Sequence, residues 1–379
     1  MPAWTYGGVV DCVHDLSVHL AKLGVSVRVL TTDANGNGRL AGVGRRGEFE
    51  IARGVRVRYC RRIAGNSMAP GLLMRLPAMI AWADLVHLHA VYSFPTMPTL
   101  AFARALGKPV MWTPHGALQR WNDMRRPRLK RAWESACRAI LPSRFIMHAT
   151  SVQERRESIG SFPAATAITV SHGIEPPPRR MERTRTQELR FGFIGRLDPK
   201  KGVENLIDAC SLLTRNDDLA FHLQIAGAGK PEYERSLRNR IASAGLCDRV
   251  TMLGEVRDAA KENFFSTIDV LVAPSHTENF AVVIAEALVR AVPVIAGKNT
   301  PWSRVEEIGC GVWVPNDSSS LADAMRRFAR LEIGEMGRKG ALWMEREFSW
   351  EMSACKILDA YKDLLGCGHT MRVTSRETA

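Results

Sequence analysis

Ala273-Pro-Ser-His-Thr-Glu-Asn-Phe-Ala-Val-Val-Ile-Ala-Glu-Ala-Leu-Val-Arg290 is the stretch that decides the architecture of this chain. An apolar run, Ile268 to Val272, precedes it and reads as a buried parallel strand; another, Pro293 to Ala296, follows. Between them, Phe280, Val283, Ile284, Ala287 and Leu288 recur at helical spacing and make one core-facing stripe. Val282, Ala285 and Val289 make the opposite side apolar as well. A helix that is apolar nearly all round is buried, and strand, buried helix, strand is the repeat of an α/β fold.

Glu286 is the only ionisable group in the middle of that helix, and a carboxylate is rarely buried without a partner. The expectation is that ligand hydroxyls, and not a neighbouring Lys or Arg, supply its donors. Glu278 lies at the mouth of the same helix, where free backbone N–H groups and the positive dipole end attract an anion. At about 1.5 Å per residue the two carboxylates stand roughly 10 Å apart. That span suits a ligand with hydroxyls at both ends and phosphate between, a nucleotide-diphosphate sugar. The plainer alternative is a core helix with one satisfied and one exposed Glu.

Further out, the α/β alternation runs through most of the 379 residues, a length that calls for two domains. Strands are expected at Ser26 to Thr32, Val55 to Tyr59, Asp84 to His89, within Pro109 to Gly116 (a buried strand running into a turn), Phe145 to Ala149 and Ala167 to Val170. The run Pro176 to Gln187, rich in proline and charge, reads as a linker. Beyond it strands recur at Leu189 to Ile194, Phe221 to Ala226, Val250 to Leu253, Ile268 to Ala273, Pro293 to Ala296 and Val312 to Val314. Two such series imply two doubly wound, Rossmann-like domains facing across a cleft, residues 1–178 and 188–346.

Ligands in open parallel sheets gather beyond the carboxyl ends of strands, and His89 and His115 both fall at such ends. His115 is the stronger candidate, because Gly116 frees the backbone beside it; a structural role is the alternative for both. Gly195-Arg-Leu-Asp-Pro-Lys-Lys-Gly202 joins a strand to a helix, with Arg196 suited to bidentate phosphate contact and Lys201 adding a point charge. Gly7 and Gly8 open a helix where backbone can approach a phosphate or sugar closely. No Walker loop and no strand-linked Gly-x-Gly-x-x-Gly is present, which counts against a nicotinamide enzyme.

The eight scattered cysteines, without a Cys-x-x-Cys pair, argue for reduced thiols in a cytoplasmic protein and against zinc. The net charge of +13 favours acidic partners. Between Arg120 and Arg144, basic residues crowd a helical region interleaved with Trp121 and Trp133. Such a segment fits contact with an anionic membrane at the inner face of the plasma membrane or with a phosphorylated acceptor; a solvated helix face is the alternative. No nucleic-acid-binding motif accompanies it, so nucleic acid is not an expected partner.

Gly195-Arg-Leu, Lys201-Gly, Glu278-Asn-Phe-Ala and Ile284-Ala-Glu-Ala-Leu288 together resemble the family-4 retaining glycosyltransferases of the two-domain GT-B type. Pro114-His-Gly116, Ser171-His-Gly-Ile174, Thr300-Pro-Trp302 and Phe348-Ser-Trp350 look like further family positions, and the likeness is greatest to bacterial enzymes of exopolysaccharide or lipopolysaccharide synthesis. The resemblance implies that Glu278 holds the donor sugar and Glu286 the ribose. Arg196 and Lys201 neutralise the leaving diphosphate, while Asn279, Phe280 and Ala281 offer backbone amides. His115 sits over the sugar from the first domain, Gly8 (with Gly7) approaches the diphosphate, and the base rests near Gly254 to Val256. It further implies a hexosyltransferase that needs no metal or cofactor and uses a UDP- or GDP-linked sugar as co-substrate. The acceptor is a saccharide or lipid-linked saccharide, and a final helix, 350–366, returns to the acceptor-side first domain.

Three departures stand out. Ala281 replaces the usual glycine, and His172 the usual Asn. The family's first strand is missing ahead of the Gly7-Gly8 loop, so two neighbouring strands lose a ladder partner; the expectation is an upstream start or a weakened first domain. Two rival functions remain at this level: a sugar-nucleotide epimerase or hydrolase on the same fold, and an inactive sugar-nucleotide-binding paralogue.

Overall fold

A computed structural model describes residues 8–367 except 37, 41, 44–46, 66, 120–126, 178–187 and 216–218. The chain divides into two compact units, Met1–Gly173 with Trp350–Ala379, and Ile174–Ser349.

The first unit opens with α1 (Gly8–Lys22) and β1 (Val27–Thr32), followed by the short pair β2 (Ala34–Asn35) and β3 (Gly38–Arg39), then β4 (Phe49–Ala52) and β5 (Val55–Cys60). β5 lies parallel to β1 and antiparallel to β4. Next come α2 (Pro70–Leu73), α3 (Leu76–Trp82), β6 (Val86–His89), α4 (Thr96–Ala105), β7 (Val110–Thr113), α5 (Pro127–Ala139), β8 (Phe145–Ala149), α6 (Val152–Ser161) and β9 (Thr166–Thr169). Strands β6 to β9 form a parallel sheet in sequence order. All four residues of β7 are buried, Trp112 packing against Phe145 and Phe162, as a central strand covered on both faces requires. Among the described residues, β1 pairs only with β5 and β6 only with β7. The unit's main strands therefore stand as two sheets.

Two local differences from the sequence reading have simple causes. The helical stretch expected from Leu72 to Trp82 is broken between Leu73 and Leu76. Pro77 lacks an N–H, and its ring opposes the carbonyl four residues back, at Leu73. Strand β4 was not foreseen: Phe49-Glu-Ile-Ala52 is a short edge strand, exposed or half-buried throughout, and carries no apolar run.

The second unit contains β10 (Leu189–Ile194), α7 (Val203–Arg215), β11 (Phe221–Ala226), α8 (Pro231–Ser243), β12 (Val250–Gly254), α9 (Asp258–Thr267), β13 (Val270–Ala273), α10 (Val282–Val289) and β14 (Val294–Gly297). It closes with α11 (Val305–Ile308), β15 (Gly311–Val314), α12 (Ser318–Phe328) and α13 (Ile333–Glu347). Its sheet is wholly parallel, in the order β12-β11-β10-β13-β14-β15. Numbered from its own first strand this is 3-2-1-4-5-6, the doubly wound Rossmann order. α10 packs on α13 and on β13 and β14, with Ile284, Ala285, Ala287 and Leu288 fully buried.

The last helix, α14 (Trp350–Leu365), belongs to the first unit and packs on α1. Gly173 admits it: a Cβ there would meet Trp350 Cδ2 at 2.4 Å. Among the described residues no helix is long and apolar enough to cross a membrane.

Candidate active site

In the second unit the strand order reverses between β10 and β13, so the connections leaving these neighbours run to opposite sides and open a crevice at their carboxyl ends. The loop after β10 is Gly195 to Gly202 and the loop after β13 is Pro274 to Ala281, the two stretches that carry the expected charges. They are bonded to each other. The Lys200 carbonyl accepts from the His276 amide at 2.8 Å. The Lys201 ammonium donates to the Glu278 carboxylate, which also accepts from Ser275 Oγ at 2.7 Å. Gly202 permits this approach, having a φ of 66° and space so tight that a Cβ would stand 2.2 Å from the Pro274 carbonyl oxygen. Arg196 is exposed and has no side-chain partner among the described residues, a cation available to an anion.

Behind Glu278, Phe280 is buried against Trp302 and Phe348, with ring centroids 5.2 and 6.1 Å away, and its carbonyl accepts from Trp302 Nε1. The Thr300-Pro-Trp302 and Phe348 motifs thus hold the loop that carries Glu278 and Asn279. Ala281 caps α10 at φ 58° and ψ 62°. A left-handed conformation costs a residue with a Cβ about 1–2 kcal/mol, so the alanine stands where glycine is conformationally favoured.

Glu286 differs from expectation. Its donor is a protein cation: Lys261 of α9 reaches Glu286 Oε1 at 2.6 Å. The carboxylate is not sealed in, keeping 19% side-chain exposure. Arg290, one turn further on, gives its guanidinium to Glu262 at 2.6 and 3.0 Å and to the Glu286 backbone carbonyl at 2.9 Å. The inference that Glu286 must find its donors in a ligand is therefore overturned; what remains is a reachable carboxylate already paired with a lysine. Lys261 was missed because its partner lies 25 residues away on the next helix. Gly254 ends β12 with its carbonyl accepting from the Gly227 amide at 2.6 Å, and Val256 packs on the core cluster that contains α10.

In the first unit, five histidines gather around the carboxyl ends of the parallel strands. The Val170 carbonyl can only accept, so His148 donates to it from Nε2 at 2.8 Å. Neutral His148 then accepts at Nδ1 from Thr113 Oγ1, at 2.8 Å. Thr113 in turn accepts from His87 Nε2 at 2.7 Å, and His87 Nδ1 accepts from the Tyr361 hydroxyl of α14 at 2.6 Å. Every tautomer in this chain follows from its last acceptor. Beside it, His89 Nδ1 and His115 Nε2 share a hydrogen bond of 2.9 Å. His89 stacks near His87, and His115 on His172, with centroids 4.2 and 5.6 Å apart.

Burial holds all five rings neutral. His89 and His172 are lowered to about 3 and His148 to about 4, while His87 and His115 are pushed well below the ordinary range by burial and by the neighbouring rings. His115 has a φ of 52°, and its buried Nδ1 has no hydrogen-bond partner among the described residues. Among those residues no three His, Cys, Asp or Glu are arranged to hold a metal ion. Gly8 begins α1 and is exposed, whereas Gly7 lies outside the described residues.

Of the basic segment, Arg120, Trp121, Arg125 and Arg126 lie outside the described residues. On α5, Arg128, Arg131 and Arg138 are exposed, but Trp133 turns inward and donates to the Val91 carbonyl at 3.0 Å. The ring expected among the surface arginines is a packing group.

A wholly parallel, doubly wound unit with cations and a carboxylate on the loops at its switch point defines an α/β protein of the Rossmann class. Residues 6–176 match the family model "Glycosyltransferase Family 4" and residues 178–339 the model "Glycosyl transferases group 1". The chain belongs to this glycosyltransferase family, with the GT-B fold of two Rossmann-like domains. It is similar to the D-inositol 3-phosphate glycosyltransferase of Saccharomonospora viridis, at 27% identity over 98% of this chain and 92% of the relative. It is similar also to the phosphatidyl-myo-inositol mannosyltransferase of Mycobacterium leprae, at 26% identity over 97% and 96%. Among solved structures, Anabaena HepE in complex with UDP and glucose shares the fold, with a TM-score of 0.69 and 17% identity over 94% of this chain and 96% of HepE.

Proposed function

We propose that this glycosyltransferase moves a hexose from a UDP- or GDP-linked sugar to a saccharide or lipid-linked saccharide of the cell surface, keeping the anomeric configuration and using no metal. The observation that carries the proposal is the pairing of Lys201 with Glu278 across two bonded loops at the switch point of the second unit, with Arg196 exposed on the first of these loops. Cations and a carboxylate side by side suit a ligand with diphosphate next to sugar hydroxyls. HepE, crystallised with UDP and glucose, supports a nucleotide-sugar donor, and the mycobacterial phosphatidyl-myo-inositol mannosyltransferase supports a lipid-linked acceptor.

In this reading Arg196 and Lys201 stabilise the charge that grows on the departing diphosphate. Glu278 receives sugar hydroxyls while Lys201 turns from the carboxylate to the phosphate. Asn279, Phe280 and Ala281 give backbone amides, Glu286 takes the ribose, and Gly254 to Val256 flank the base. Lys261, held beside Glu286, adds a donor at the ribose. His115 meets the sugar through the Nδ1 that lacks a protein partner, and Gly8 approaches the diphosphate. The departing diphosphate takes the acceptor proton, so neither Glu acts as nucleophile. The exposed cations of α5 make the contact with an anionic membrane surface.

Labelled UDP-glucose, UDP-N-acetylglucosamine and GDP-mannose, incubated with the protein and a bacterial membrane extract, test the proposal. Label is expected to move from one donor to lipid or saccharide, with Arg196→Ala losing about 100-fold in rate. Free monosaccharide appearing without acceptor supports the epimerase or hydrolase, and no turnover of any donor supports the inactive paralogue.

A further inference from the structure

We infer that Glu154 is a positioning residue for His115, acting from α6 through the backbone amide of Gly116. The inference rests on the reading of His115 as a donor-sugar contact.

Glu154 is completely buried, although it sits in the first turn of a surface helix. Ser151 caps that helix, its side chain accepting from the Glu154 amide at 3.1 Å. An ordinary capping box would send the carboxylate back to the amide of the cap residue. Here Glu154 Oε2 reaches past Ser151 to Thr150, accepting from its amide at 2.7 Å and its hydroxyl at 2.9 Å. Oε1 leaves the helix altogether and accepts from the Gly116 amide at 2.6 Å, 38 residues away. A cap needs only the first of these roles.

The far end of that bond explains the second. His115 and Gly116 are consecutive left-handed residues, with φ of 52° and 74°. Glycine takes this conformation freely, whereas histidine pays about 1 kcal/mol or more for it. An acceptor at the Gly116 amide offsets that cost, because a path of the loop that turns this amide away gives up a buried charge-assisted hydrogen bond to Glu154 Oε1. His89 fixes the ring of His115 from one side and His172 lies stacked near the other. Backbone and ring are thereby set together, and Nδ1 is left as the one ring nitrogen for a ligand.

The chemistry requires a carboxylate. The Gly116 amide, the Thr150 amide and the Thr150 hydroxyl all donate to Glu154, so Glu154→Gln turns an NH2 group onto an N–H at one oxygen or the other. Glu154→Asp keeps both oxygens but withdraws them by about 1.5 Å, leaving Thr150 within reach and Gly116 out of it.

The test is a double-mutant cycle of Glu154→Gln and Glu154→Asp against His115→Ala, with Thr150→Val as a control for the structural part. Turnover of the donor found active in the panel above is measured with the membrane extract. UDP and GDP affinities are measured by calorimetry, and the His115 ring nitrogens are followed in 15N-histidine-labelled full-length protein. Each Glu154 variant is expected to lose about 10–100-fold in kcat with unchanged nucleotide affinity, and to shift the His115 ring signals. Adding either to His115→Ala is expected to cost no more than about twofold, while Thr150→Val keeps the parent kcat and His115 signals. Should Glu154→Gln fail to fold, the aspartate variant carries the cycle alone. Multiplicative losses in the double variants, or an equal loss in Thr150→Val, overturn the positioning role. A full kcat in His115→Ala overturns instead the reading on which it rests.

Discussion

Lowering the pH from 7 to 5 should unfold the first unit selectively. An unfolded histidine titrates near 6.5, whereas burial has lowered His89 and His172 to about 3 and His148 to about 4. Between those values the unfolded chain binds protons that the folded chain refuses, so stability is intact above 6.5 and falls as the pH drops. For a histidine neutral in the fold, the drop from pH 7 to 5 costs about 2 kcal/mol. The three together cost about 6 kcal/mol, comparable with the whole stability of an ordinary domain. His87 and His115 are displaced in the same direction and add to the effect. None of these five rings belongs to the second unit.

Hydrogen-exchange mass spectrometry at the two pH values, corrected for intrinsic rates, separates the units. Peptides covering β6 to β8 should lose most of their protection at pH 5 while those covering β10 to β13 keep theirs. Equal retention in both sets, or a parallel loss in both, would refute the account of a neutral buried cluster.

Two further outcomes concern the second unit. Glu286→Gln should weaken UDP or GDP binding roughly 10–150-fold, the equivalent of one charge-assisted hydrogen bond at about 1.5–3 kcal/mol. Calorimetry checks it; Lys261→Met, which leaves Glu286 charged, should weaken binding less, and the reverse order would assign the ribose to the lysine. Ala281→Gly should raise the melting temperature of this unit by about 2–4 °C by relieving roughly 1 kcal/mol of left-handed strain. A scanning calorimetry trace that shows a lower value would mean that the alanine methyl contributes more in packing than its backbone costs.

Much of this molecule was legible in its sequence. Strands of a covered parallel sheet are rich in apolar residues, so Leu189 to Ile194, Phe221 to Ala226 and Phe145 to Ala149 marked strands at the bounds the fold adopts, even with Arg190, His222, Gln224 and His148 among them. The same logic found α10, since a segment apolar on every side has no place outside a core. Arg196, Lys201 and Glu278 were legible as charged residues of the two loops that follow β10 and β13.

The partners of those residues were decided by tertiary structure alone. Lys261 faces Glu286 because the sheet order sets α9 beside α10, and no local period encodes that adjacency. The five histidines are scattered from residue 87 to 172, and only the register of β6, β7, β8 and β9 brings their rings into one bonded cluster. Glu154 reads in sequence as a helix cap, and becomes a support for His115 only once β7 and β8 lie side by side. Hydrophobic periodicity is a property of neighbours along the chain, whereas a buried hydrogen bond depends on which distant segments share an edge.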